Sequence, residues 1–61
     1  MKALRYTDGT IVFVERLTHP SVEDSNGFSW CMVETVEVDG ETDLFPVGAV
    51  RKVPAQALIN V

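Results

Sequence analysis

One cysteine, one histidine and one tryptophan among 61 residues leave little material for metal or covalent chemistry. With Cys31 alone, an intrachain disulfide is excluded, and a lone cysteine fits a reducing compartment. A structural zinc takes about four ligands, usually with closely spaced Cys or His among them. Cys31 and His19 are the only soft ligands in the chain, so no metal and no cofactor is expected. Long apolar runs are missing as well. Ile11-Val12-Phe13-Val14 stops after four residues, against the roughly 20 that a membrane-spanning helix needs. Met1-Lys2-Ala3-Leu4-Arg5 is charged, but no apolar stretch of signal-peptide length follows it. The expectation is a soluble, cytoplasmic protein with no membrane association, and Met1 points to a complete small gene product. Basic residues are scarce: five Lys and Arg stand against nine Asp and Glu, a net charge of −4. Nucleic-acid binding calls for a basic face, so direct contact with nucleic acid is not expected. Lys2, Arg5, Arg16, Arg51 and Lys52 can at most converge on one small basic edge.

Helical periodicity is the last absence, since no stretch carries it over enough residues for a stable helix. Strand signals take its place. Lys2 to Tyr6 reads as a first strand, and Asp8-Gly9 after it is a hairpin signal. Thr10 to Leu17, rich in β-branched and aromatic residues, is the second strand. Its apolar run points Ile11 and Phe13 to one face and Val12 and Val14 to the other. Thr18 to Gly27 is a loop: His19-Pro20 favours extended backbone, and Glu23-Asp24-Ser25-Asn26-Gly27 has turn chemistry. Phe28 to Val38 is the third and longest strand. Phe28, Trp30, Met32, Val36 and Val38 share one parity. Glu34 interrupts the series, so a bend or bulge is expected near it, with Glu34 partly buried. Asp39-Gly40 is a second hairpin signal whose register is open. Leu44-Phe45 is expected to pair back onto the third strand. Pro46 and Gly48 interrupt, Val50 to Val53 resumes, Pro54 to Ala57 suits one helical turn, and Leu58 to Val61 closes.

This order of elements resembles the Src-homology-3-like barrel. Val53-Pro54-Ala55-Gln56-Ala57-Leu58 looks like the Pro-x-x-aromatic-Val ending of that fold, and Phe45-Pro46-Val47-Gly48-Ala49-Val50 is a second placement. An OB-type barrel is the runner-up, although its strands and connecting helix usually need a longer chain. The expected fold class is therefore all-β: a small five-stranded Src-homology-3-like barrel with a single helical turn before the last strand, one domain over residues 1–61. A chain this short buries only about 60% of its unfolded surface. Without disulfide or zinc, it folds unaided or self-associates.

Peptide-binding members of the resembled family use an Ala-Leu-Tyr-Asp-Tyr segment, a tryptophan and a Pro-x-x-Tyr segment to hold polyproline helices. Ala3-Leu4-Arg5-Tyr6-Thr7 keeps part of the first, and Trp30 fits the tryptophan. The tyrosine position falls on Ala57, or on Ala49 in the other placement, so the groove loses a wall. Type II dihydrofolate reductases, plasmid-borne tetramers of the same barrel, carry Val-Gln-Ile-Tyr-Pro-x-x-Ala-Leu, which is similar to residues 50–58. Their active-site Gln, Ile and Tyr fall on Arg51, Lys52 and Val53, so only the scaffold matches. Cys31 with His19 has the types for a nucleophile and base. No third orienting group can be named, and a mid-strand cysteine is commonly a small hydrophobe. Asp39-Gly40-Glu41-Thr42-Asp43 is too short for a calcium loop.

Charge layout is the most distinctive feature. Residues 23 to 43 hold seven acids, Glu23, Asp24, Glu34, Glu37, Asp39, Glu41 and Asp43, and no Lys or Arg. The alternative to function is solubility and protection of strand edges. The reading is a non-catalytic protein-interaction module, in the manner of a small phage- or plasmid-type inhibitor. Its partner is a protein with a basic surface, bound by Trp30, Glu34, Glu37, Asp39, Glu41 and Asp43. Homo-oligomerisation is expected through Val12 and Val14. The rival is an oligomeric barrel enzyme with its site on a symmetry axis, of the type II dihydrofolate-reductase kind. Because Arg51, Lys52 and Val53 occupy the functional positions, NADPH oxidation with dihydrofolate is expected to stay at background. Substrate-dependent turnover would overturn that expectation.

Overall fold

A computed structural model of the chain describes residues 1–22 and 25–61, with Val22 described by its backbone alone. Glu23 and Asp24, read above as turn and acidic-segment residues, lie outside the described residues. Six strands form: β1 (Lys2–Arg5), β2 (Ile11–Arg16), β3 (Ser21–Val22), β4 (Ser29–Asp39), β5 (Val50–Pro54) and β6 (Ile59–Asn60). All pairings are antiparallel. Among the described residues the one helical turn is a 3-10 turn, Ala55–Ala57, before the last strand. The all-β class is as the sequence led us to expect. Among the described residues no helix is long and apolar enough to cross a membrane.

β4 is the centre of the sheet. Trp30 pairs with Ser21 on one side and Pro54 on the other, and Val33 with Arg16 and Arg51. β2 and β3 therefore share one edge of β4, and β5 takes the other. β1 lies beyond β2, and β6 beyond β1. β5 and β6 do not pair, so the sheet is not closed into a barrel. β3 corrects the reading of Thr18 to Gly27 as a loop throughout. It continues the line of β2 after a break at Pro20, which has no N–H for the ladder. At the break, the Leu17 N–H donates to the Met32 carbonyl at 2.8 Å. The Thr18 hydroxyl accepts the Met32 N–H at 2.9 Å.

The two Asp-Gly segments bend the chain in different ways. Gly9, at φ 94°, follows a turn in which its N–H donates to the Tyr6 carbonyl at 3.1 Å. Asp8 is not at positive φ, so this is a longer hairpin loop with glycine at its left-handed position rather than a two-residue turn. The Asp8 carboxylate closes it by accepting the Thr10 N–H at 2.9 Å. Gly40, at φ 123°, passes so close to Thr10 that a Cβ there would sit 2.6 Å from Thr10 Oγ1. The chain leaves β4 over Thr10 and does not fold straight back. Leu44-Phe45 consequently does not pair with β4. Phe45 instead plugs the core at 9% exposure and tilts against Tyr6, with ring centroids 6.3 Å apart.

A bulge in β4 sets which side chains enter the core. Phe13 pairs with Glu37 and Val14 with Thr35, so Val36 is the extra residue. The expected irregularity near Glu34 lies two residues further on. Before the bulge the inward residues are Cys31, Val33 and Thr35; after it, Val38 packs against the core. The series Phe28, Trp30 and Met32 lies on the opposite, outward parity. Val12 and Val14 are likewise corrected. Both are 0% exposed within one copy, so neither is free for an oligomer contact. Val12 stands between Leu4 and Val38, and Val14 opposite Thr35. The narrow interior takes valine-sized side chains from the strands, and the bulkier Ile11 and Phe13 are left half-buried on the outward face.

Thr35 is 2% exposed, and its hydroxyl has no hydrogen-bond partner among the described residues. An unpaired buried hydroxyl costs about 1–3 kcal/mol. Thr35→Val should therefore raise the unfolding free energy by about 1 kcal/mol in urea, whereas Val33→Ala should lower it by about 2 kcal/mol. A loss of stability in Thr35→Val would show that the hydroxyl is satisfied. The Asp8 carboxyl is held below its ordinary value, first by the Thr10 backbone N–H and then by the Thr10 hydroxyl. Its contribution is present above the ordinary value of 3.8 and lost as pH falls through the lower folded value. The Thr10 amide NMR shift should titrate with a midpoint below that of Asp8 in the denatured chain. An equal midpoint would remove the hydrogen bond from the account.

Candidate functional site

Seen from outside, β4 presents one continuous strip. Trp30, Met32 and Glu34 point outward before the bulge, and Glu37 and Asp39 after it, as their pairing partners show. If β4 alternated strictly through Val36, with no bulge there, Glu37 and Asp39 would turn inward. At about 3.3 Å per residue, the strip runs roughly 25–30 Å. Pro54 and Ser21 flank Trp30, and Lys52 flanks Met32. Glu15 and Val50 flank Glu34, Phe13 lies beside Glu37, and Ile11 beside Asp39. Trp30, Met32 and Glu34 are half-buried, while Glu37 and Asp39 are exposed. Of the expected partner-binding residues, the fold brings Trp30, Glu34, Glu37 and Asp39 onto this one face. Glu41 and Asp43 lie past its acidic end, exposed in the segment 40–49.

The acids sit badly for a purely structural role. Glu34 is directly opposite Glu15 across the β2–β4 ladder. Like charges opposite one another destabilise a sheet, by amounts on the order of 0.2–1 kcal/mol. Glu34 also lies where β4 is paired on both edges, with β2 and with β5. It has no free edge to protect.

At the apolar end, a cleft of about 450 Å³ is lined by Phe28, Trp30, Pro54, Gln56 and Ala57. Phe28 is 50% exposed there. Pro54 and Ala57 also border a second cleft of about 240 Å³ with Arg5, Tyr6 and Phe45, so the 3-10 turn separates the two. Burial first and the Asp8 charge second push the Tyr6 phenol up, which keeps it a hydrogen-bond donor. Neither cleft was legible as such, because the pairing of Trp30 with Pro54 depends on a register that the sequence leaves open.

A third cleft brings His19, Cys31 and Lys52 together. Cys31 is 3% exposed and pairs with Val53 on the inward parity, which makes it a core residue. Among the described residues, no group of three or more His, Cys, Asp or Glu is placed to hold a metal ion. No protein-family model matches the chain, no curated protein matches it, and no solved structure matches it.

Proposed function

We propose that the chain is a non-catalytic protein-interaction module that binds a protein with a basic surface through the outward face of β4. The observation that carries this reading is the Val36 bulge, which adds Glu37 and Asp39 to the face that already holds Glu34 and the Phe28–Trp30–Pro54 cleft. An apolar or aromatic side chain of the partner fills the Phe28–Trp30–Pro54 cleft. Its Lys and Arg residues lie over Glu34, Glu37 and Asp39, with Glu41 and Asp43 extending the field. Buried aromatic anchors usually carry most of the affinity, whereas exposed charges act mainly on encounter and specificity. A partner that otherwise holds nucleic acid on that basic surface would be blocked, which is the role of a phage- or plasmid-type inhibitor. The ladder order, with the last strand returning to β1 after a 3-10 turn, supports the Src-homology-3-like resemblance. The enzyme reading gains less support. Arg51, the natural holder of an anionic substrate, donates to the Leu44 and Val50 carbonyls of its own chain, at 3.3 and 3.2 Å.

With a partner captured from the native host, two variants separate the terms. Glu37→Lys, Asp39→Lys, Glu41→Lys and Asp43→Lys together should slow association at least about tenfold at low salt. Trp30→Ala should instead speed dissociation by a factor on the order of 30. Thr7→Lys with Val61→Lys, at exposed positions away from β4, is the control. Equal association rates for wild type and the four-site variant would show that the acids serve only solubility.

A further inference from the structure

The other half of the outward face carries a pattern of its own. Arg5, Ile11 and Asp39 form one row across β1, β2 and β4. Ile59, Ala3, Phe13 and Glu37 form the next, across β6, β1, β2 and β4. The cation is therefore on the β1 side, the acids on the β4 side, and the apolar side chains lie between. Ile11, Phe13 and Ile59 are half-buried. Ala3 is 0% exposed, yet it stands outside the core cluster, as expected of a small residue roofed by outward neighbours. Arg5 and Asp39 are both exposed. They are two strand spacings apart, about 9–10 Å, with Ile11 between them.

Such a face is complementary to itself. A two-fold axis along β2, lying in the contact plane, exchanges the β1 side of one copy for the β4 side of the other. Ile11 and Phe13 then meet their equivalents, and each Arg5 meets an Asp39 at the same level, because both pair with Ile11. We infer that this face is a two-fold interface between two copies of the chain, with Arg5 of each copy paired to Asp39 of the other over a shared Ile11–Phe13 centre. The contact replaces the one expected through Val12 and Val14, which the core has consumed. Glu15 limits it, since that end of β2 would bring like charges together. Aligned sheets cross at about 30°, which separates the Glu15 end when the axis passes near Ile11. The Trp30 cleft lies at the far end of β4 and stays open, whereas Asp39 and Glu37 belong to both surfaces, so a second copy and the proposed partner compete for that end of β4. A measurement on the chain alone reads the dimer without the partner.

Sedimentation velocity on the whole chain across micromolar to high-micromolar concentration tests this. Wild type should double its 6.7 kDa mass. Arg5→Asp alone and Asp39→Arg alone should each weaken the dimer at least tenfold, by placing like charges in contact. An equimolar mixture of the two variants should restore it, because both contacts in the mixed pair are again of opposite sign. Trp30→Ala should dimerise as wild type does. A wild type that stays monomeric, or a mixture that stays monomeric while wild type dimerises, overturns the interface.

Discussion

Interior width governs this molecule. A sheet built from so short a chain curls around a space that admits valine, cysteine and threonine from its strands and little that is larger. Val12, Val14, Val33 and Thr35 are the largest of the fully buried side chains. Leu4 and Val53 complete the strand layer, and Phe45 enters from a connecting segment, where it seals one end against Tyr6. Each buried valine contributes about 1.5–3 kcal/mol, so a handful of them has to carry the fold. Apart from Leu4, the bulkier apolar residues of the strands are displaced outward, Ile11, Phe13, Trp30 and Met32 among them. The same constraint that makes the core thin makes the outside unusually apolar.

The Val36 bulge then decides what accompanies those apolar residues. β4 must keep Val33 and Thr35 inside at one end and Val38 inside at the other, although these positions do not share a parity. One extra residue reconciles them and increases local twist, as bulges do. As a consequence Glu34 and Glu37, three positions apart, emerge on one face. Packing inside the sheet and charge pattern outside it are set by a single residue, which is itself 44% exposed.

Much of the fold was legible in the residues, and the failures share a cause. Asp8-Gly9 announced its hairpin, the β-branched runs announced β2 and β4, and Pro54-Ala55-Gln56-Ala57 announced the 3-10 turn. These are local signals. Inside and outside were not local. Ile11-Val12-Phe13-Val14 is apolar on both parities, so hydrophobicity alone cannot assign its faces; size against the available interior does. In β4 the larger residues looked like the core series, and the smaller Cys31, Val33 and Thr35 won for the same reason. Asp39-Gly40 read as a hairpin signal of open register because the turn chemistry is right. What redirects it is the contact of Gly40 with Thr10, thirty residues away in sequence. The acids of the candidate face were visible as a charge-biased segment. That Glu37 and Asp39 share a face with Trp30 and Glu34 was not, since it rests on the bulge.

The acids are hard to explain as edge protection, because the edges are guarded by other means. β5 ends in Pro54, which has no N–H to offer a neighbouring strand. Beside it, the Arg51 guanidinium covers the carbonyls of Leu44 and Val50. β6 is two residues long, and the Lys2 ammonium donates to the Asn60 side chain across the β1–β6 pair at 2.6 Å. Short strands, proline and lysine are the ordinary devices against edge-to-edge pairing, and all three occur at β5 and β6. Glu34 is instead placed on the central strand, opposite Glu15, where it weakens the sheet. A repulsive pair retained at a position with no edge to defend sits where local rules are broken, and such breaks mark functional surface more often than structural need. The charges on the outward face of β4 thus have no edge of this sheet to guard, which is what supports placing the proposed partner surface there.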